Sequence, residues 1–324
     1  MFRRVTCIAL ASFDIDTMKN TYVDALGLAP PIRATYHERG RRRLHALFAG
    51  DDIQMHMEQP LDSPETPGPG GGMARYIQRY GEGLYLITVA LGDNNERYSK
   101  RLESKGAKIY WDVPDSGAVT GGQERSARVA VSRPVHPLIH PRSAHGVVWE
   151  LGTHYPAIVR EKAPPSNAFK KVVAISVVCR DNDVAVKTYT DVLELDQPVY
   201  STVYEKGGYK EHTIPIGDVC LQLLQPVAGP DAPGRGGDMA RFLRERGEGL
   251  YMITVAVDDL AGYARKLEGK GVKVQRFQPE TGKATAGPTK PPIPAGTEHV
   301  LIDPKAAHGV RWEVTPFPPT SGMM

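Results

Sequence analysis

The chain repeats itself, and that repeat limits its possible folds more than any other feature. Residues Met73–Ala90 read MARYIQRYGEGLYLITVA and Met239–Ala256 read MARFLRERGEGLYMITVA, identical at 12 of 18 positions. Such self-similarity at a long period marks an internal duplication. The match extends outward: Phe2–Gly50 aligns without a gap on Phe169–Gly217, pairing Tyr22 with Tyr189 and His45 with His212. Ile139–Glu150 aligns on Ile302–Glu313. Two copies of about 150 residues thus lie head to tail in 324, too long a period for a solenoid. The expected boundaries are a first domain at 1–152, a Pro-rich linker at 153–168, a second domain at 169–317 and a tail at 318–324.

Each copy has a finer rhythm. It opens on a β-branched apolar run, Val5–Ala11 or Val172–Val178, followed by helix-capping aspartates and apolar residues at helical spacing. Two strands then flank a Gly-Asp turn, Gly50-Asp51 or Gly217-Asp218. The Pro/Gly-rich stretches Asp62–Gly72 and Gly229–Asp238 read as loops. Strand, helix and strands then begin again at Leu84, with a helix over Asn94–Lys105 and a last strand over Gly146–Leu151. Each copy is therefore two βαβββ units, four in the chain, of α+β class.

Forty basic against 37 acidic residues, a net charge of +3, do not suit a nucleic-acid binder, and the Arg41–Arg43 run reads as a solvated strand end. There is no apolar stretch long enough for a membrane helix. The apolar N-terminal segment imitates a signal peptide but recurs mid-chain. Three cysteines, Cys7, Cys179 and Cys220, form no disulfide framework, and together these features point to the cytoplasm.

Paired βαβββ units resemble the vicinal oxygen chelate superfamily of glyoxalase I, extradiol dioxygenases and bleomycin-resistance proteins. Within it the chain is most similar to methylmalonyl-CoA epimerase. Three stretches carry the likeness: Thr21–Leu28, Gly83–Val89 with its copy Gly249–Val255, and His140–Leu151. The resemblance implies two glyoxalase-like domains whose curved mixed sheets enclose cups, each cup holding a divalent metal on four inward side chains. Those positions fall on Cys7, His56, Leu86 and Glu150 in the first half, and on Ala174, Gln222, Met252 and Glu313 in the second. Leu86 and Ala174 have no donor, and a Met252 thioether is too soft for a hard ion. Cys7, His56 and Glu150 remain as a candidate metal set for Zn, Fe, Co, Ni or Mn, and a metal-free protein is the alternative. Cups built between the halves remain open as well as cups built within them.

His56 lies in Ile53–Glu58, where alternation puts it on one face with Gln54 and Glu58 and turns Met55 and Met57 away. Glu150 and Glu313 follow tryptophans on strands that read as buried, where a carboxylate needs a partner or a shifted pKa. Glu150, His56 and Glu313 are the candidate catalytic residues. Tyr85, Tyr251, His45, His212, Gln222, Leu86 and Met252 are the candidate substrate contacts. His145 and His308 are read as loop hydrogen-bonders, Tyr22 and Tyr189 as core, and Arg75 and Arg241 as solvated or paired with Glu82 and Glu248. The Gly68–Gly72 run reads as a flexible lid.

Two functions follow. One is a lyase, isomerase, epimerase or oxygenase that moves a proton next to a carbonyl of a small organic substrate, with an acyl-CoA as one candidate. The other is a metal-free binder of the bleomycin-resistance kind, or an active first half fused to a structural second half. A homodimer is a candidate assembly.

Overall fold

The apolar openings of the two halves become the central strands of two sheets. The structure, a computed structural model, describes residues 2–31, 36–38, 40–49, 53–92, 94–111, 137–152, 167–280, 282–286 and 297–317. Residues 153–166 of the linker, the tail and the Gly50-Asp51 turn lie outside these residues.

The first sheet holds β1 (Phe2–Ala11), β2 (Tyr36–Glu38), β3 (Arg41–Phe48), β4 (Gln54–Pro60), β5 (Gly83–Leu91), β6 (Ile109–Trp111), β7 (Pro137–Ile139) and β8 (Val148–Gly152). Its order is β2-β3-β4-β1-β5-β8-β7-β6. The second holds β9 (Lys171–Val178), β10 (Tyr200–Tyr204), β11 (Tyr209–Ile216), β12 (Val219–Pro226), β13 (Gly249–Val257), β14 (Val274–Phe277), β15 (Lys283–Ala286), β16 (His299–Ile302) and β17 (Trp312–Pro316). Its order is β14-β16-β17-β13-β9-β12-β11-β10-β15. The helices are α1 (Ile15–Asn20), α2 (Pro69–Tyr80), α3 (Asn95–Ser104), α4 (Asn182–Lys187), α5 (Gly234–Arg246) and α6 (Leu260–Gly269).

Antiparallel pairing of β1 with β5, and of β9 with β13, joins two βαβββ units into each sheet. The cups therefore form within the halves and not between them. The curvature of the second sheet is visible in its chain path. β14 ends one edge at Phe277, and β15 joins the opposite edge from Lys283, only six residues later. Six residues span about 20 Å at most, so the two edges curl toward each other.

Alternation along the strands separates two faces. Ile8, Leu10, Met55, Met57, Ile87, Val89, Trp149 and Leu151 are fully buried in one core that also takes in the helices and the matching residues of the second half. Cys7, Gln54, His56, Leu86, Thr88 and Glu150 lie on the other face, in the cup. With a common core behind both sheets, the cups face away from each other.

Four buried tyrosines stitch the halves together. Tyr22 donates to Ala307 O at 3.3 Å and Tyr189 to Ala144 O at 3.1 Å. Tyr98 donates to Leu193 O at 2.5 Å and Tyr263 to Leu26 O at 2.8 Å. Tyr22 and Tyr189 are core residues, as the sequence suggested.

His145 and His308 do more than tie their own loops. His145 Nδ1 lies 3.1 Å from Glu248, and its Nε2 lies 3.0 Å from Thr188. His308 Nδ1 lies 2.7 Å from Glu82, and its Nε2 lies 2.9 Å from Thr21. Each histidine thus grips the opposite half. Both stand at left-handed φ, 50° and 51°, and the next residues, Gly146 and Gly309, continue at 81° and 77°. A Cβ on Gly146 would meet Glu248 O at 1.8 Å, and one on Gly309 would meet Glu82 O at 2.1 Å, so only glycine lets the halves approach.

Arg75 is exposed, as one of its two readings had it, while the pairing alternative fails for both arginines. Arg75 and Arg241 do not pair with Glu82 and Glu248. Arg75 donates to Pro64 O and Thr66 O, while Arg241 donates to Pro230 O and pairs with Asp238. The Gly68–Gly72 run is not a free lid, because Pro69–Gly72 form the first turn of α2. A Cβ on Gly71 would lie 1.9 Å from Thr66 O, and one on Gly70 would lie 2.5 Å from Gly40 O. The glycines are there to seat the helix against the neighbouring chain. Among the described residues no helix is long and apolar enough to cross a membrane.

The seam predicts an acid limb in stability. Hydrogen bonds from His308, Ser12 and the Phe13 amide outweigh burial and hold Glu82 below its ordinary 4.5. The His145 contact leads the same effect on Glu248. A depressed folded pKa gives stability that is complete above the unfolded value and lost as pH falls through the folded one. Urea midpoints should therefore drop below about pH 4.5, and Glu82→Gln with Glu248→Gln should flatten that limb while lowering stability at pH 7.

Candidate functional site

In the first cup, Gln54, Cys7, Thr88 and Glu150 form one cross-strand row, and His56, Ala9, Leu86 and Val148 form the next. Cys7, His56 and Glu150 thus share a face, as alternation requires. Thr88 stands between Cys7 and Glu150 and donates its hydroxyl to Glu150 at 2.7 Å. His56 is buried, with Nε2 3.4 Å from Gln54 Oε1. Among the described residues no three His, Cys, Asp or Glu side chains gather in a group able to hold a metal ion. The expected three-donor set is not assembled: a hydroxyl intervenes in one row and a donorless Leu86 in the other. Arg41 is not solvated either, since it forms a buried ion pair with Glu58 at 2.8 Å. The side chains of Arg42, Arg43 and His45 lie outside the described residues.

The second cup is richer in polar groups although it keeps fewer of the superfamily's ligand positions. Glu313, on β17, is buried and receives three neighbours. Arg235 on α5 forms an ion pair with it, His299 Nδ1 lies at 2.6 Å, and Thr254 donates at 3.4 Å. The same Arg235 Nη2 is 3.6 Å from Met252 Sδ. Its guanidinium sits 5.5 Å from the Phe277 ring and 5.9 Å from the Tyr209 ring. A parallel chain of contacts runs Ser176 to Gln222 at 2.8 Å and Gln222 to Glu211 at 3.0 Å. Thr213 also donates to Glu211, at 2.8 Å.

Arg235 therefore touches the third and fourth of the four positions where the resemblance implied metal ligands, Met252 and Glu313. A fixed monovalent cation stands where a bound divalent ion would need those side chains. With Ala174 at the first position and a thioether at the third, this donor set does not fit a metal.

The two carboxyls are driven apart. Burial alone would raise Glu313, but Arg235 and His299 overcome it and hold the group at about 2. Burial dominates at Glu211 and raises it, with Thr213, Arg235 and Gln222 only partly opposing. Opposed shifts on two neighbouring carboxyls are the arrangement that divides acid from base roles. His299 is 2% exposed, and its Nε2 has no partner among the described residues. Such an atom calls for a ligand or a water.

The candidate substrate residues are spread out. Tyr251 is buried against Phe242, with ring centroids 5.2 Å apart, and Tyr85 is half-buried against Tyr76. Gln222 and Met252 belong to the second cup's cluster, and Leu86 lines the first cup. His212 turns the other way: its ring joins Ser201 at 2.6 Å and Asp183 of α4 at 3.2 Å, on the helix side of the sheet. Its neighbour Glu211 points into the cup instead. Arg235, Glu211 and His299 were missed in the sequence. Arg235 hides in Gly234-Arg-Gly-Gly, which reads as a loop, and the signal was its alignment with Pro69 of the first half.

Residues 171–314 match the family model of the Glyoxalase/Bleomycin resistance protein/Dioxygenase superfamily. The second half is a domain of that superfamily, and the first repeats its topology. Among solved structures, a variant of 4-hydroxymandelate synthase from Streptomyces coelicolor is 15% identical over 99% of this chain and 94% of its own, with a TM-score of 0.64. A xylose isomerase-like TIM barrel/4-hydroxyphenylpyruvate dioxygenase fusion protein is 12% identical over 100% of this chain and 50% of its own, with a TM-score of 0.59. Methylmalonyl-CoA epimerase from Mycobacterium tuberculosis is 24% identical over 47% of this chain and 91% of its own, with a TM-score of 0.37. The first two show the fold of the whole chain. No curated protein sequence matches it.

Arg235→Ala should leave Glu313 buried with its main countercharge removed. The expected loss is about 3–5 kcal/mol in urea denaturation, and the double substitution Arg235→Met with Glu313→Gln should recover most of it.

Proposed function

We propose that the protein is a metal-independent enzyme of the glyoxalase type that moves a proton next to a carbonyl of a small organic substrate in its second cup. The observation that carries this reading is the Arg235 guanidinium seated between Glu313 and Met252. It supplies fixed positive charge in a water-poor site, where developing negative charge on a carbonyl oxygen is stabilised most. Glu313 anchors that guanidinium and stays ionised. Arg235 has five N–H donors; Glu313 and Tyr209 engage some of them, and the others can reach substrate oxygens.

Glu211 is the proton carrier in this reading. Its Oε1 accepts from Thr213 and Gln222, which leaves Oε2 to take or give the proton. A carboxyl raised by burial is better matched to proton transfer near neutrality than an ordinary one. His299 presents Nε2 as the second proton site, with Nδ1 held by Glu313. An acyl thioester and a 2-oxo acid both carry the required acidic C–H beside a carbonyl. Glu150 and His56 are the candidate acid–base pair of the first cup, with Glu150 held by Thr88.

Incubation of the protein with acyl thioesters and 2-oxo acids in deuterated water tests this by NMR. The expected result is C–H to C–D exchange that persists after chelation and falls at least ~100-fold in Glu211→Gln, with substrate affinity within a few-fold. Exchange lost on chelation, or unchanged in Glu211→Gln, contradicts the assignment. Binding without exchange by the unaltered protein identifies a binder instead.

A further inference from the structure

A cleft of about 570 Å³ lies at the seam between the halves, outside the polar cluster of the second cup. Its walls come from the end of α2, the loop around His140–Gly146, the start of β13 and the end of α5. Four guanidinium groups line it: Arg79 and Arg142 from the first half, and Arg180 and Arg246 from the second. One carboxylate faces them, Glu248, and it is already engaged by His145 and by the Arg180 backbone amide at 2.7 Å. Among the described residues none of the four arginines has a side-chain ion-pair partner. Two of them lie over aromatic rings, Arg79 at 5.0 Å from Tyr80 and Arg246 at 5.9 Å from Phe242.

Four like charges converging on a concave wall repel one another and focus a positive potential into the space between them. An anion placed there relieves that repulsion. Guanidinium forks match phosphate oxygens two at a time, and one phosphate group would leave most of the four unused. The tyrosines and Phe242 add flat apolar surface beside the charges, and the volume suits a drug-sized molecule.

We propose that this seam cleft binds a nucleoside di- or triphosphate, with the phosphates on Arg142, Arg180, Arg79 and Arg246 and the base against the α2 and α5 aromatic rings. Because the walls belong to both halves, an occupant bridges them and stabilises their docking. The site is independent of proton transfer in the second cup, so Glu211→Gln leaves nucleotide binding intact.

Calorimetry with ADP and ATP on the full chain tests the assignment, with adenosine and inorganic pyrophosphate as the separate parts. The expected result is one nucleotide per chain, weakened by added salt, with adenosine and pyrophosphate each at least ~10-fold weaker than ADP. Arg79→Ala with Arg142→Ala, both exposed and outside the core, should lower ADP affinity ~10-fold or more with an unchanged urea midpoint. A thermal midpoint that rises with ADP in the parent protein and not in this variant supports bridging. Absence of ADP binding at millimolar concentration, equal affinity for ADP and pyrophosphate, or an affinity unmoved by the double substitution overturns the proposal.

Discussion

Two carboxylates hold this protein in one piece: Glu82 receives His308 from the other half, and Glu248 receives His145 in return. Each lies at the start of a long central strand, just before Gly83 or Gly249. Each histidine sits at a strained left-handed turn, followed by a glycine whose missing side chain lets the opposite backbone pass. The consequences spread from there. Docked this way, the two sheets turn their apolar faces inward on one core, and the tyrosines of each half's helices find carbonyls of the other. The cups are left facing outward, and the arginine-lined cleft is left at the join.

Within that frame the second cup has exchanged one kind of cation for another. A buried ion pair contributes little net stability, because both charges must leave water. Its value here is positional. Glu313, Met252, Phe277 and Tyr209 surround Arg235, so the guanidinium is fixed before any ligand arrives. The same charge keeps Glu313 ionised and partly offsets the burial that raises Glu211. Two carboxyls a short distance apart are therefore shifted in opposite directions because one of them owns the arginine.

The duplication, the four units, the face of His56 and the burial of Tyr22 and Tyr189 were all legible in the sequence. They depend on periodicity and self-alignment, which are local or nearly so. What could not be read depended on long-range approach. Gly234-Arg235-Gly236-Gly237 looks like a loop, yet its glycines permit helix packing, since a Cβ on Gly237 would lie 1.8 Å from Ala232 O. That packing is what carries Arg235 to Glu313, 78 residues away. Arg41 looked solvated because its partner, Glu58, is met only across a strand pair. Cys7, His56 and Glu150 had the right faces, but the row register put Thr88 and Leu86 among them.

The central claim is that Arg235 stands as the cation of the second cup. Its most direct test is a carbon-13 NMR titration of the Glu313 carboxyl in the unaltered protein. The expected midpoint is near 2, held down by the adjacent guanidinium against the pull of burial. A midpoint at or above the ordinary 4.5 would mean that the arginine is not beside it, and the assignment would fail.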